Sequence, residues 1–164
     1  MSDRYFCGVD IGQKGGIAFF DSLGEPDEAV KMPTIKGKGS KLTYDETALF
    51  AMFDKYKPVR TMVEKQAAMP GQGVVSMFSL GTGYGLIRGI LVGTQLPYQL
   101  VRSQQWKGDV LKGTAKDKTA AMVHCKQTFP TLSLIPPRGR TDHDGIADAV
   151  CIAEYCWRYW RAPE

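Results

Sequence analysis

The chain has 164 residues and a mass of 18.1 kDa, which suits one domain with a buried core better than several domains. Hydrophobic residues make up 43% and charged residues 23%, so the composition excludes an intrinsically disordered chain. The formal net charge of +4 fits a nucleic-acid partner and fits a basic soluble enzyme equally well. The longest apolar runs fall short of a membrane span, and residues 1–4 lead into a strand pattern without a signal peptide. We therefore expect a cytoplasmic protein with no membrane partner.

The cysteines do not have the spacing of a metal site. They are Cys7, Cys125, Cys151 and Cys156, and none forms a C-x-x-C pair. Because the usual ligand spacing is missing, the sequence does not predict a zinc site. The strand-like and helix-like surroundings of these residues instead predict buried, reduced thiols.

The N-terminal part of the chain predicts three strands followed by a helix. The strands are predicted at residues 5–11, 16–21 and 28–32, with a turn at 12–15, as an antiparallel meander. A basic, glycine-rich segment at residues 36–41 is expected to be a mobile loop. Thr43 and Glu46 have the spacing of a capping box, and Pro58 is expected to stop the helix that follows.

The rest of the chain alternates strands with helices and ends in helices. Strands are predicted at residues 59–64 and 98–101, and helices at 74–92, from a cap at Ser103, from a cap at Thr114 to Phe129, and from His143 to Trp160. This order predicts a mixed sheet flanked by helices, which is an α/β fold in a single domain spanning residues 1–164.

Three glycines lie four residues apart on the long helix at residues 74–92. They are Gly81, Gly85 and Gly89, and they share one stripe of that helix. Because glycine lowers helix stability, we expect another element to approach this stripe closely. Tight packing on the sheet and a subunit interface are both open explanations.

Four acidic residues stand out by their positions. Asp10 and Glu64 each end an apolar strand, while Asp144 and Asp148 are four residues apart on the last helix. Taken singly, each has an ordinary explanation as a turn residue, a strand-terminal charge or a helix-start acid. Asp148 is the exception, because it lies in a largely apolar helix where an uncompensated carboxylate is costly to bury. Two like charges at that spacing also repel unless a cation lies between them.

The joint pattern of these motifs resembles a known family. The motifs are Gly-Val-Asp-Ile-Gly at 8–12 with Gly-Ile-Ala at 16–18, Val-Glu at 63–64, and His-Asp-Gly-Ile-Ala-Asp-Ala at 143–149. Together they resemble the RuvC-type Holliday-junction resolvases, especially their phage and plastid branches, whose last motif also reads Asp-Gly-x-Ala-acid. The resemblance extends through residues 84–89, 103–107 and 116–118, so it covers nearly the whole chain.

The resemblance implies an RNase H-like fold and a magnesium-dependent endodeoxyribonuclease. Asp10, Glu64, Asp144 and Asp148 would hold two Mg²⁺ ions, with Mn²⁺ as a substitute, since oxygen-only ligands suit these metals. The substrate would be a four-way DNA junction, cut by paired symmetric nicks in recombination or repair. We expect a homodimer without a nucleotide cofactor, acting in the cytoplasm or in whichever compartment holds the DNA.

The resemblance also assigns basic residues. Lys107 and Lys118 match lysines that assist cleavage in bacterial relatives by contacting the scissile phosphate. Generic candidates for contacts to the DNA backbone, each equally explained as surface charge, are Lys14, Lys65, Arg88, Arg138 and Arg140. The loop at residues 69–73 follows Glu64, where relatives read the DNA near the crossover.

The last motif departs from the bacterial pattern in one respect. Many bacterial members space the last two metal ligands three residues apart, and Gly145 occupies that position here. Some relatives use a histidine in this motif, so His143 is a lesser candidate for the site. The alternative is that His143 covers the start of the helix.

Other functions remain open from the sequence. An RNase H-like nuclease could act on RNA–DNA hybrids or on other branched DNA. Asp10-Ile11-Gly12 followed by two glycines also suits the phosphate-binding hairpin of an actin-like ATPase or sugar kinase, although such proteins normally need two domains of this kind. A non-catalytic junction-binding protein is the remaining alternative, and the complete acidic set argues against it.

Overall fold

A computed structural model describes residues 4–39 and 41–161, with Arg161 described by its backbone alone. The strands are β1 (Phe6–Asp10), β2 (Gly16–Phe20), β3 (Pro26–Lys31), β4 (Thr34–Lys36), β5 (Leu42–Tyr44), β6 (Arg60–Glu64) and β7 (Tyr98–Val101). The helices are α1 (Glu46–Tyr56), α2 (Val74–Gly93), α3 (Ser103–Val110), α4 (Ala120–Thr128) and α5 (Asp144–Arg161). Residues 1–3 and 162–164 lie outside the described residues. The structure therefore does not test the expected lack of a signal peptide or the predicted ends of the domain at residues 1 and 164.

Five strands form one mixed sheet in the order β3-β2-β1-β6-β7. The three N-terminal strands pair antiparallel, as the predicted meander requires, whereas β1–β6 and β6–β7 pair parallel. Central strands β1 and β6 are buried along their middle residues, and this accounts for their continuous apolar runs. The predicted α/β fold with a mixed sheet is confirmed.

Helix α5 packs directly on the centre of the sheet. A Cβ at Gly8 in β1 would meet the backbone nitrogen of Ala153 at 2.1 Å and the carbonyl oxygen of Ala149 at 2.5 Å. Gly8 therefore allows the helix backbone to touch the strand, and a larger residue there would push α5 away. The core on this face combines α3, α4 and α5, and a second core under α1 and α2 covers the opposite face.

All four cysteines are buried and unbridged, as the sequence predicted. Burial raises the pKa of the Cys7 thiol well above its ordinary value. A thiol that resists deprotonation is a poor metal ligand and a poor nucleophile, so Cys7 acts as a small apolar side chain.

The segment around the first helix differs from the prediction. Residues 34–36 and 42–44 form a small antiparallel hairpin, so Lys36 lies in β4 rather than in a loop, and Ser40 lies outside the described residues. The capping box of Thr43 and Glu46 is wrong, because Thr43 pairs with Ile35 in the hairpin. Asp45 caps α1 instead, and its Oδ1 accepts a hydrogen bond of 3.0 Å from the backbone N–H of Ala48.

The starts of α3 and α4 also differ. Ser103 is the first residue of α3, and the Gln105 side chain accepts a 2.9 Å hydrogen bond from the N–H of Arg102 before it. Thr114 does not begin α4, because Gly113 adopts a left-handed conformation with φ 83° and the Thr114 hydroxyl bonds back to Leu111. The helix begins at Ala120 after a turn in which Asp117 accepts two hydrogen bonds from Thr119.

Helix α2 exposes an unusually apolar face. A Cβ at Gly81, Gly85 or Gly89 would meet no atom within 4 Å, so tight packing of this stripe on the sheet is wrong. Gly83 makes the close approach instead, against the ring of Tyr44. By length and composition alone α2 could cross a membrane, but a single such helix is weak evidence, and its Ile87 and Leu91 belong to the core.

Candidate active site

Two of the four acids meet at one edge of the sheet. Asp10 is the last residue of β1 and Glu64 is the last residue of β6. The two strands run parallel, with Val9 opposite Val63, so the acids that follow these residues lie side by side. The two carboxylates therefore lie together at this edge of the sheet, where burial and repulsion from Glu64 raise the pKa of Asp10.

The other two acids reach this edge through the packing of α5. A Cβ at Gly145 would meet the carbonyl oxygen of Lys14 at 2.2 Å, so the helix begins against the turn between β1 and β2. No carboxylate fits at position 145, and this accounts for the departure from the bacterial spacing. Asp144 is exposed on one side of that contact, and Asp148 is partly buried one turn further along the helix.

The carboxylates interact electrostatically. Burial raises the pKa of Asp10, and repulsion from Glu64 and Asp148 raises it further. Burial likewise raises the pKa of Asp148 to about 6; Lys107 opposes this shift, while Glu64 and Asp144 add to it. The four acids thus form one electrostatic group with an excess of negative charge, which a divalent cation would neutralise.

The donor set fits a hard metal ion. Carboxylate oxygens alone suit Mg²⁺ or Mn²⁺ rather than zinc. Within residues 4–39 and 41–161, however, no three His, Cys, Asp or Glu side chains stand close enough together to hold a metal ion. The acids repel one another, and a bound ion would have to draw their carboxylates closer.

Glu64 is held by two hydrogen bonds that the sequence analysis did not anticipate. The indole N–H of Trp106 donates to its Oε1 at 3.1 Å, and the Gln66 amide donates to its Oε2 at 3.2 Å. In the sequence, the only signal was that Trp106 stands beside Lys107. A buried indole N–H needs a hydrogen-bond acceptor, but only the fold shows which residue accepts.

Both predicted catalytic lysines lie with the acids. A cavity of about 920 Å³ is lined by Lys107, Lys118, Asp144 and Asp148. Lys107 lies near enough to lower the pKa of both Asp10 and Asp148. Two further lysines that were not predicted, Lys112 and Lys116, line the same cavity, so four lysines and three aspartates surround it.

Four of the five generic basic candidates form two groups. Lys14, in the turn against Gly145, and Lys65, directly after Glu64, are exposed at the acidic edge. Arg138 and Arg140 are exposed in the loop that precedes α5.

Arg88 is not brought to the site. Its Nε donates to the Tyr98 hydroxyl at 3.2 Å, and Tyr98 pairs with Thr61 near the opposite end of β6 from Glu64. The sequence placed Arg88 correctly on a helix, but the direction of its side chain depends on this tertiary partner.

His143 covers the start of α5. Its Nδ1 accepts a 3.3 Å hydrogen bond from the backbone N–H of Ile146. Burial lowers the pKa of His143, Asp144 raises it and Lys31 lowers it, with burial the largest of the three effects. A neutral ring can accept that hydrogen bond, so the structure favours the capping explanation over a ligand role.

The loop after Glu64 lies beside the site and is open to solvent. Its turn is closed by hydrogen bonds of 3.2 Å between Met69 and Gln72, and the Met69 side chain is largely exposed. A small cavity of about 160 Å³ separates this loop from α2, with Met77 and Tyr84 in its wall.

The fold is similar to that of solved Holliday junction resolvases. RuvC of Thermus thermophilus in complex with a Holliday junction substrate has a TM-score of 0.62 and 15% identity, over 96% of this chain and 95% of that one. The fowlpox virus Holliday junction resolvase has a TM-score of 0.58 and 17% identity, over 94% and 99% of the two chains. No protein-family model matches the chain, and no curated protein matches it. The resemblance is therefore confirmed in its fold, the RNase H-like mixed sheet flanked by helices.

Proposed function

We propose that this protein is a magnesium-dependent endonuclease that resolves four-way DNA junctions. One observation carries the proposal: four carboxylates from β1, β6 and α5 share one electrostatic group on the fold of junction resolvases. The lysines across the cavity supply positive charge where a phosphodiester would lie. The protein would act in the compartment that holds its DNA substrate.

The chain's own residues support hydrolysis in separate ways. Asp10, Glu64, Asp144 and Asp148 would hold the metal through their carboxylate oxygens. Bound Mg²⁺ would stabilise the negative charge that develops on the phosphate oxygens. Lys107 and Lys118 would hold the scissile phosphate against the acids. Water adds to phosphorus and the bond to the 3′ oxygen breaks, which leaves 5′-phosphate and 3′-hydroxyl ends.

A two-fold dimer fits this function. Two matching nicks on a two-fold symmetric junction call for two matching sites, which a C₂ dimer provides. On α2, Val74, Val75 and Phe78 have side chains 83%, 78% and 78% exposed, and they continue the open glycine stripe. Exposed apolar surface of this kind is typical of a protein interface, and the glycines would let two helices approach closely.

The function is tested with a choice of substrates. We would incubate the protein and Mg²⁺ with a synthetic four-way junction, an RNA–DNA hybrid duplex, a linear duplex or ATP. The expected result is cleavage of the junction alone, at symmetric positions, with ends that DNA ligase seals and no cleavage in EDTA. Hybrid cleavage would instead assign an RNase H activity, and junction binding without cleavage would assign a binding protein.

A further inference from the structure

We propose that Trp106 is a positioning residue that orients both the Glu64 carboxylate and the Lys107 ammonium for metal and phosphate binding. The proposal deepens the function proposed above and rests on it. The carrying observation is that one buried indole contacts both groups, through its N–H and through its ring.

The first contact fixes a metal-binding carboxylate. Trp106 is fully buried, and its N–H lies 3.1 Å from Oε1 of Glu64. Gln66 donates to the other oxygen at 3.2 Å, so the two donors together define the plane of the carboxylate. Each donor uses one lone pair of its oxygen, and a second lone pair remains on each for a metal ion. Because both donors are neutral, they orient Glu64 without cancelling the charge that attracts the ion.

The second contact supports the lysine. The Lys107 ammonium lies 5.1 Å from the centre of the Trp106 ring, within the range of a cation–π interaction. Lys107 lines the same cavity as Asp144 and Asp148, so the lysine and these acids face one space. The rigid indole thus sets the spacing between a negative ligand and a positive phosphate contact.

A purely structural role makes a different prediction. Trp106 belongs to the core beneath α5, and any buried indole needs an acceptor for its N–H. If packing were its only role, loss of the indole would lower stability and leave metal affinity unchanged. Orienting groups that contact metal ligands typically contribute about 10- to 100-fold in metal affinity or activity, so the two roles separate by measurement.

The wild-type protein provides the first test. We would follow the indole N–H resonances by ¹⁵N NMR while titrating Mg²⁺ in the absence of DNA. The Trp106 resonance should shift and saturate together with the backbone resonances of Asp10 and Asp148. Trp157 is the internal control, because its indole donates to Ser22 at 3.3 Å at the C-terminal end of α5. If Mg²⁺ shifts the backbone resonances of Asp10 and Asp148 but not the indole resonance of Trp106, the inference is overturned. The proposed function stands in that case.

Matched variants provide the second test. Trp106→Phe should weaken Mn²⁺ binding about 10-fold or more, measured by calorimetry and by the paramagnetic resonance of free Mn²⁺. Trp157→Phe should bind Mn²⁺ as the wild type does. Wild-type Mn²⁺ affinity in a Trp106→Phe protein with a lowered Tm would make Trp106 a core residue only, and would overturn the inference. If that variant does not fold, the wild-type titration still decides. Absence of any Mg²⁺-dependent change in the wild type would overturn both proposals.

Discussion

The two long helices lie on opposite faces of the sheet and have opposite surroundings. Helix α5 buries most of its apolar residues, including Ile146, Val150 and Ile152, and it also carries the partly buried Asp148 and the buried Glu154. Helix α2 leaves Val74, Val75 and Phe78 in solvent and shows three glycines beside them. The buried helix is explained by this chain's own core. For the exposed helix we propose a second surface, because solvation of so much apolar area is unfavourable.

Phe78→Asp gives the largest expected effect on this comparison. In a two-fold dimer the change occurs twice, and each buried Phe contributes about 1.5–3 kcal/mol, so the dimer should weaken by about 100-fold or more. Light scattering should give a monomer, and junction cleavage should change from paired to single nicks. A wild-type protein that is monomeric both free and on junction DNA would contradict the role given to α2.

A pair of glycine substitutions compares the two helices directly. Gly145→Ala should destabilise the fold by about 1–3 kcal/mol, because its Cβ would meet the Lys14 carbonyl oxygen at 2.2 Å. Gly85→Ala meets no atom within 4 Å, so it should stabilise the monomer by up to about 1 kcal/mol. Urea unfolding of protein diluted below its dimer affinity measures both. Equal destabilisation by the two variants would remove the contrast between the helices.

The raised pKa of Asp148 gives a smaller effect on stability. In the folded protein the pKa of this carboxyl is about 6, whereas its ordinary value is 3.8. The stability of the metal-free protein therefore falls as the pH rises from the lower pKa to the higher one. Below about pH 4, the Asp148→Asn variant should have the same Tm as the wild type. Above about pH 6, its Tm should be a few degrees higher. Mg²⁺ should raise the Tm of the wild type at neutral pH. A variant that melts lower than the wild type at alkaline pH would contradict the electrostatic conflict described for the site.

Lysine substitutions give the smallest change. If Lys107 and Lys118 contact phosphates, each Lys→Ala variant should slow cleavage and lower the salt slope of junction binding by about one unit. Arg88→Ala is the matched control, because its side chain is held at Tyr98 away from the acids. Unchanged cleavage and salt slopes in both lysine variants would make those residues ordinary surface charges.

Sequence reasoning succeeded where local pattern and fold agree. The apolar runs that end in Asp10 and Glu64 and the helix that carries Asp144 and Asp148 all lie within one residue of their predicted bounds. Their convergence into one site was predicted from the family resemblance alone.

Sequence reasoning failed where tertiary contacts decide between two local structures that the sequence permits equally. Thr43 and Asp45 are both good caps, and pairing of Thr43 in the β4–β5 hairpin leaves the role to Asp45. The link from Trp106 to Glu64 joins residues 42 positions apart, and no local pattern encodes it. The sequence left two explanations open for the glycine stripe, and the structure rules out close packing on the sheet.

The most direct test of the active site is a cleavage time course and a gel shift with Asp148→Asn on a four-way junction. Asparagine keeps the shape but not the charge, and cleavage should fall by at least about 100-fold, because several kcal/mol of transition-state stabilisation depends on the bound metal. Junction binding should persist or tighten, since a negative charge beside the DNA is removed. Asp10→Asn, Glu64→Gln and Asp144→Asn should behave alike. A folded Asp148→Asn protein that cuts junctions at the wild-type rate would contradict the assignment of these four acids as the active site.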